Sequence, residues 1–154
     1  RPHGSTGSSW IYADASAHDL ISEISEFVGS QRGHRIIAAG DLNIFHGYGD
    51  KASAYWKARY DSVFQRMKAI GLEFVGPQQP HGRPAPFPQD HMPSDTKNVP
   101  TYYHSTEGVE RATHQLDYVF ASTSLADKVS VKALNEVEEC GKSDHCKVVV
   151  EVAT

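Results

Sequence analysis

The stretch His34-Arg35-Ile36-Ile37-Ala38-Ala39-Gly40-Asp41-Leu42-Asn43 decides the fold class. Its apolar run, 34–39, is short and is closed by Gly40-Asp41, so it reads as a buried strand that delivers Asp41 at its carboxyl end. Just upstream, Asp19 follows Ser16 by three, a variant of the capping pattern, and Leu20, Ile21, Ile24, Phe27 and Val28 then recur at helical spacing before Gly29. An amphipathic helix followed by a buried strand predicts a layered α/β arrangement.

Downstream the pattern continues. Between 54 and 70, Trp56, Tyr60, Val63, Phe64, Met67 and Ile70 fall on one helical face, and Gly71 supplies the stop. A short strand is predicted at 73–75. Residues 77–100 hold seven of the eight prolines together with His81 and His91, so they form an irregular excursion. A loop of that length inside one domain is commonly functional, and changing it is expected to alter substrate choice more than stability. Strands follow at 101–104, 115–122 and 129–134, with a helical turn at 124–128 and a final strand at 146–152. Residues 1–9 are rich in Gly and Ser, and 1–15 is expected to be a flexible segment.

The chain's 154 residues and 17.0 kDa suit one domain. With 39% hydrophobic, 22% charged and 10% aromatic residues it can build a core, which separates it from disordered chains. Mean hydropathy is -0.48, and apolar stretches such as 36–39 and 148–150 fall far short of the ~20 residues a membrane helix needs. The opening Arg1-Pro2-His3 has neither an initiator Met nor an apolar signal region, so an upstream portion is expected to have been removed. Fifteen Lys and Arg against 19 Asp and Glu leave a formal charge of -4, which provides no global basic field for nonspecific nucleic-acid binding. Cys140 and Cys146 do not make a disulfide framework; both are expected to be free thiols, favouring a reducing compartment and a cytoplasmic location.

Three segments set polar residues at strand edges: Gly40-Asp41-Leu42-Asn43, Gln115-Leu116-Asp117-Tyr118 and Ser143-Asp144-His145. Loops at strand ends are where α/β sheets build sites. Asp41 and Asn43 are two apart, so in an extended segment both project to one side while Leu42 faces the core. Asp144-His145 joins a carboxylate to an imidazole, and Asp117 could fix a histidine tautomer. Each alone also fits a plain turn or cap hydrogen bond.

In order and approximate spacing these three segments resemble the endonuclease/exonuclease/phosphatase superfamily, the exonuclease-III-like and deoxyribonuclease-like metal-dependent phosphoesterases. The resemblance runs over 16–152 and is to the C-terminal half of that domain. It implies half of a four-layer α/β/β/α sandwich: one mixed, mainly antiparallel sheet with flanking helices over 16–154, the N-terminal half being absent. It further implies hydrolysis of phosphate esters by in-line attack of water. Asp41 would orient or deprotonate that water, and Asn43 would hold the scissile phosphate. Asp144 would be a magnesium-site or water-positioning carboxylate, and His145 would face a nonbridging phosphate oxygen. Asp117 would orient His145. Magnesium, with manganese as an alternative, is implied at Asp144 and Asp41, since such ions take oxygen ligands and keep waters.

The principal metal-binding Glu of that family has no counterpart before Ser16. The chain therefore reads as a fragment inactive by itself, with an exposed apolar sheet face inviting the missing half or self-association. A non-catalytic binding or dimerising remnant of the same fold is the alternative. The partner implied is a phosphate-ester substrate, nucleic acid among the candidates, with DNA, RNA, phosphoinositides, sphingomyelin and nucleotides undistinguished.

Remaining features have two readings each. Tyr102, Tyr103 and His104 lie where some members of that family touch a base or lipid head group, yet β-branched and aromatic runs also simply pack in strands. Lys57, Arg59, Arg66 and Lys68 could reach phosphates or form a solvated face. The nine histidines show no His-x-x-x-His spacing that would argue for zinc.

Overall fold

The computed structural model describes residues 2–4, 10–29, 33–49, 53–87 and 89–153. In chain order the elements are β1 (Pro2–Gly4), β2 (Trp10–Tyr12), α1 (Ala13–Gly29), β3 (Ile37–Asp41), α2 (Ala54–Ala69), β4 (Leu72–Gly76), β5 (Asp117–Ser122), β6 (Val129–Leu134) and β7 (Lys147–Val152). Single 3-10 turns occur at Val109–Arg111 and Ala126–Lys128. Helices with antiparallel sheets give a mixed α/β chain, and no helix among the described residues is long and apolar enough to cross a membrane.

Each helix buries one stripe. On α1, Ala13, Ala17 and Ile21 succeed one another at i, i+4 and i+8 and are buried, with Ile24 packed behind them. Leu20 and Phe27, expected on that stripe, stand 40% and 69% exposed, because the two small alanines rather than the larger side chains form the contacting row. On α2, Tyr60, Val63 and Met67 are buried. The helix ends where Ile70 N–H bonds Arg66 O at 3.2 Å and Gly71 N–H bonds Lys68 O at 2.9 Å. Gly71 then turns through φ 78°, a left-handed conformation that costs glycine nothing.

All described strand pairs are antiparallel, in ladders β1–β2, β3–β5–β4 and β6–β7. The expected single mixed sheet is thus replaced, among the described residues, by three antiparallel ladders. Within the segment 1–15, the described residues place Pro2–Gly4 in a pair with Trp10–Tyr12 and start α1 at Ala13, where Ala13 and Asp14 are buried. Residues 101–104 contribute only a bridge, Tyr102 pairing with His114 on one side and His145 on the other.

β5 lies in the middle of its sheet and is buried on both faces. Tyr118 and Phe120 join the core under the helices, while Val119 and Ala121 on the opposite face are 1% and 0% exposed. This explains its unbroken Tyr-Val-Phe-Ala run, which alternation toward water would have interrupted. Among the described residues the anticipated open apolar face is reduced to patches, at Val149 and Val152 of β7 and at β3, where Ile37 is 38% exposed and Ala39 lies open. Beside it, Ala39, Val119, Val148 and Val150 line a shallow groove of about 210 Å³ between β3–β5 and β7.

The excursion over 77–100 has no regular element but is tied into the fold by two buried amides. Gln115 accepts the Val99 N–H at 3.0 Å and donates to Pro77 O at 2.9 Å. Asn135 accepts the Arg83 N–H at 2.7 Å and donates to Arg83 O and Pro100 O, each at 2.9 Å. The middle of the excursion, with Phe87 and Met92, faces Tyr48 and Lys57 across a cleft of about 780 Å³.

Candidate active site

The site grows out of strand register. Ala38 opposes Phe120 on the helix-covered face, so Asp41 opposes Asp117 on the other face, with Ala39 and Val119 one step behind them. Two carboxylates directly across an antiparallel ladder repel each other. His145 answers that repulsion. Its Nδ1 lies 2.8 Å from Asp117 Oδ2, and its Nε2 stands 3.8 Å from Asp41 Oδ2. Burial pulls the His145 pKa down, but the Asp117 hydrogen bond and the charges of Asp117, Asp41 and Asp144 together outweigh it, so the ring is held above its ordinary range.

Asn43 closes the other flank. Its backbone N–H donates to Asp41 Oδ1 at 2.8 Å and its side-chain amide donates to Asp41 Oδ2 at 2.6 Å. Asn43 adopts φ 51°, a left-handed turn that asparagine tolerates better than other non-glycine residues, and this is what folds its amide back over the carboxylate. The buried Tyr118 hydroxyl sits 2.8 Å from both Ile44 O and Gln115 O and accepts the His46 N–H at 3.1 Å, so one phenol steadies the segments next to Asn43 and Asp117. Burial, ahead of every other influence, pushes that phenol's pKa upward.

His145 arrives on the segment leading into β7. The Tyr102 ring lies 5.2 Å from the imidazole, centroid to centroid, at 57°. Tyr103 braces the turn before it, its N–H bonding Asp144 O at 3.0 Å and its hydroxyl donating to Ser143 O at 2.6 Å. Tyr103, a candidate substrate contact from sequence, thus spends its hydroxyl on the loop. Cys140 and Cys146 form a disulfide across this loop, which corrects the expectation of two free thiols. Separated by six positions, they are brought together because the chain turns back at 141–145 to enter β7. The expectation of a reducing compartment rested on free thiols and loses that basis, since disulfides persist in oxidising surroundings.

The five expected catalytic residues therefore divide. Asp41, Asn43, Asp117 and His145 are joined by direct contacts, whereas Asp144 is exposed beside them, contributing charge at His145 and its backbone carbonyl to Tyr103. Among the described residues no group of three or more His, Cys, Asp or Glu is placed to hold a metal ion. Both Asp41 oxygens already accept Asn43 donors. The carboxylate oxygens of Asp41 and Asp144 are hard ligands of the kind magnesium takes, and two carboxylates would leave most of its shell to water.

Sequence reasoning missed Thr101. It is 0% exposed, and its Oγ1 accepts the N–H groups of Leu116 at 3.0 Å and Asp117 at 3.1 Å. In sequence it is one more β-favouring residue before two tyrosines, with nothing to mark a shared acceptor. The basic residues of α2 are mostly engaged with protein: Lys57 pairs with Asp61 at 2.7 Å, Arg59 with Asp14 at 2.7 Å, and Arg66 reaches His18 O and Ser22 Oγ on α1. No protein-family model matches this chain, and no curated protein matches it.

Proposed function

We propose that the chain is the C-terminal half of a magnesium-dependent phosphoesterase domain of the endonuclease/exonuclease/phosphatase type, its sheets forming half of an α/β/β/α sandwich. The observation that carries this is the Asp117–His145–Asp41 row, two opposed carboxylates bridged by one histidine, with Asn43 folded against Asp41. Phosphoryl transfer asks for positioning and charge neutralisation rather than covalent chemistry, and this row supplies both.

In this reading Asp117 accepts the Nδ1–H of His145 and orients the ring, and in the protonated ring Nε2–H meets a nonbridging phosphate oxygen. The neighbouring carboxylates favour the cationic form of the ring, the form that stabilises the negative charge growing on that oxygen. Asp41 orients the attacking water and takes its proton, and the Asn43 amide steadies both Asp41 and the phosphate. Bound magnesium, held by Asp144 and Asp41 with water completing its shell, would neutralise phosphate charge. The cleft beside the excursion, with Tyr48, Phe87 and Met92, is the place for substrate selection, because residues 44–49 run directly from Asn43 to its wall.

The exposed Ile37 and Ala39 edge favours a second reading, in which this chain binds another copy or a partner segment without catalysis. Hydrolysis of bis(p-nitrophenyl) phosphate and of supercoiled plasmid, with and without magnesium, tests the choice, using Asp41→Ala as control. Magnesium-dependent turnover lost in that variant supports a working site. Turnover equal in both overturns the role of Asp41, and none in either leaves the chain standing as the inactive half of such a domain.

A further inference from the structure

The segments that carry the site are tied together at one buried residue, two of them directly and the third through Leu116. Thr101 holds Leu116 and Asp117 through its hydroxyl, which accepts both backbone N–H groups. Its own carbonyl accepts the Cys146 N–H at 2.7 Å, next to His145, and its N–H donates to His114 O at 2.9 Å. Leu116 O in turn accepts the N–H of Leu42, between Asp41 and Asn43, at 2.9 Å. A continuous hydrogen-bonded path therefore runs from Leu42 through Leu116 and Thr101 to Cys146.

We propose that Thr101 is a positioning residue of the site, whose hydroxyl sets the backbone that presents Asp117 to His145. The geometry separates this from simple core filling. A methyl group fills space equally well, but an oxygen accepting two successive N–H groups fixes the peptide planes at 116 and 117, and with them the direction of the Asp117 side chain. Those N–H groups also lie at the start of β5, where the strand partner at that edge gives way to the Tyr102 bridge. The hydroxyl thus substitutes for a ladder acceptor at the point where the ladder ends.

The activity arm of the test rests on the phosphoesterase reading, whereas the spectroscopic arm does not. In proton NMR at low temperature, the imidazole N–H shared between His145 and Asp117 should give a downfield resonance, identified by its loss in His145→Gln. Thr101→Val, equal in shape and lacking the oxygen, should lose or strongly shift that resonance while circular dichroism stays native. Thr101→Ser should retain it. Where the valine variant fails to fold, Thr101→Ala, less crowded, is read in its place. Magnesium-dependent hydrolysis of bis(p-nitrophenyl) phosphate should fall on the order of tenfold to a hundredfold in kcat in the folded variant lacking the hydroxyl, with KM little changed and serine restoring it. A folded valine or alanine variant with an unshifted resonance overturns the proposal, as does a folded serine variant that loses it. A wild-type chain without hydrolytic activity is the inactive half-domain expected from the sequence and removes the activity arm alone; the resonance then decides the role of Thr101.

Discussion

Asp41 and Asp117 stand directly opposite each other in the β3–β5 ladder, and His145 bonds one at 2.8 Å while facing the other at 3.8 Å. Three residues more than a hundred positions apart at their extremes thus form one electrostatic unit. Removing the imidazole leaves two like charges across the ladder. His145→Gln should therefore cost stability, Asp117→Asn should cost some as well, and the double variant should lose less than the sum of the two. A coupling on the order of 1 kcal/mol is expected from a double-mutant cycle in denaturant, and additive losses would show that the pair is not coupled.

The pH dependence of that unit has a defined sign. The His145 pKa is raised on folding, so its contribution is fully present below the ordinary value of about 6.5 and is lost as pH rises through the folded value. The gap in thermal midpoint between wild type and His145→Gln should be widest in mild acid and should close on the alkaline side. A gap that grows with pH contradicts the assignment.

His46 has the opposite sign. Burial, only partly offset by the Asn98 hydrogen bond and the Asp61 charge, lowers its pKa, and its ring sits 4.6 Å from both Phe64 and Phe74. Its neutral form is favoured by folding, so stability present above the ordinary pKa should be lost as pH falls from about 6.5 toward the folded value. Thermal melts of wild type and His46→Gln should converge in acid as the wild type weakens.

Asn135 and Phe87 test the two parts of the excursion. Asn135→Ala leaves the Arg83 N–H and the carbonyls of Arg83 and Pro100 without their partner and should cost about 2–4 kcal/mol in urea unfolding. Phe87→Ala, at a side chain 52% exposed, should change stability by less than about 0.5 kcal/mol while altering preference among phosphodiesters. Equal stability losses would mean that the whole excursion is structural.

The Cys140–Cys146 bridge closes a short loop around the Ser143-Asp144-His145 turn. Opening it with a dithiol should lower stability by about 2 kcal/mol on the loop-entropy account. Urea melts with and without reductant measure this, and alkylation without prior reduction should modify neither cysteine.

Much of this was legible in the chain. The apolar runs at 34–39 and 115–122 and the helical periodicity of both helices pointed to elements there, and the structure has β3, shifted to Ile37–Asp41, with β5, α1 and α2 in those regions. Asp41, Asn43, Asp117 and His145 stood out because three polar segments at strand ends, each ordinary alone, together resemble one family pattern in order and approximate spacing. The disulfide was hidden, since spacing alone does not show that the chain turns back between the two cysteines. The buried row of α1 was misjudged because Leu20 and Phe27 outweigh Ala13 and Ala17 in hydrophobicity while the alanines permit closer packing. Gln115 and Asn135 gave no sign that they anchor the excursion, because a buried amide looks in sequence like any surface amide.

The two-faced burial of β5 bears on the order in which the chain assembles. β3, β4 and β5 can form their ladder before β7 arrives, but that intermediate would leave Val119 without the Val148 and Val150 side of its groove and hold Asp41 against Asp117 without a counterion. Docking of the last strand removes both penalties in one step, covering the apolar face and inserting the imidazole. Partial assembly is thereby disfavoured on two independent grounds, and the site is completed by the same event that completes the fold.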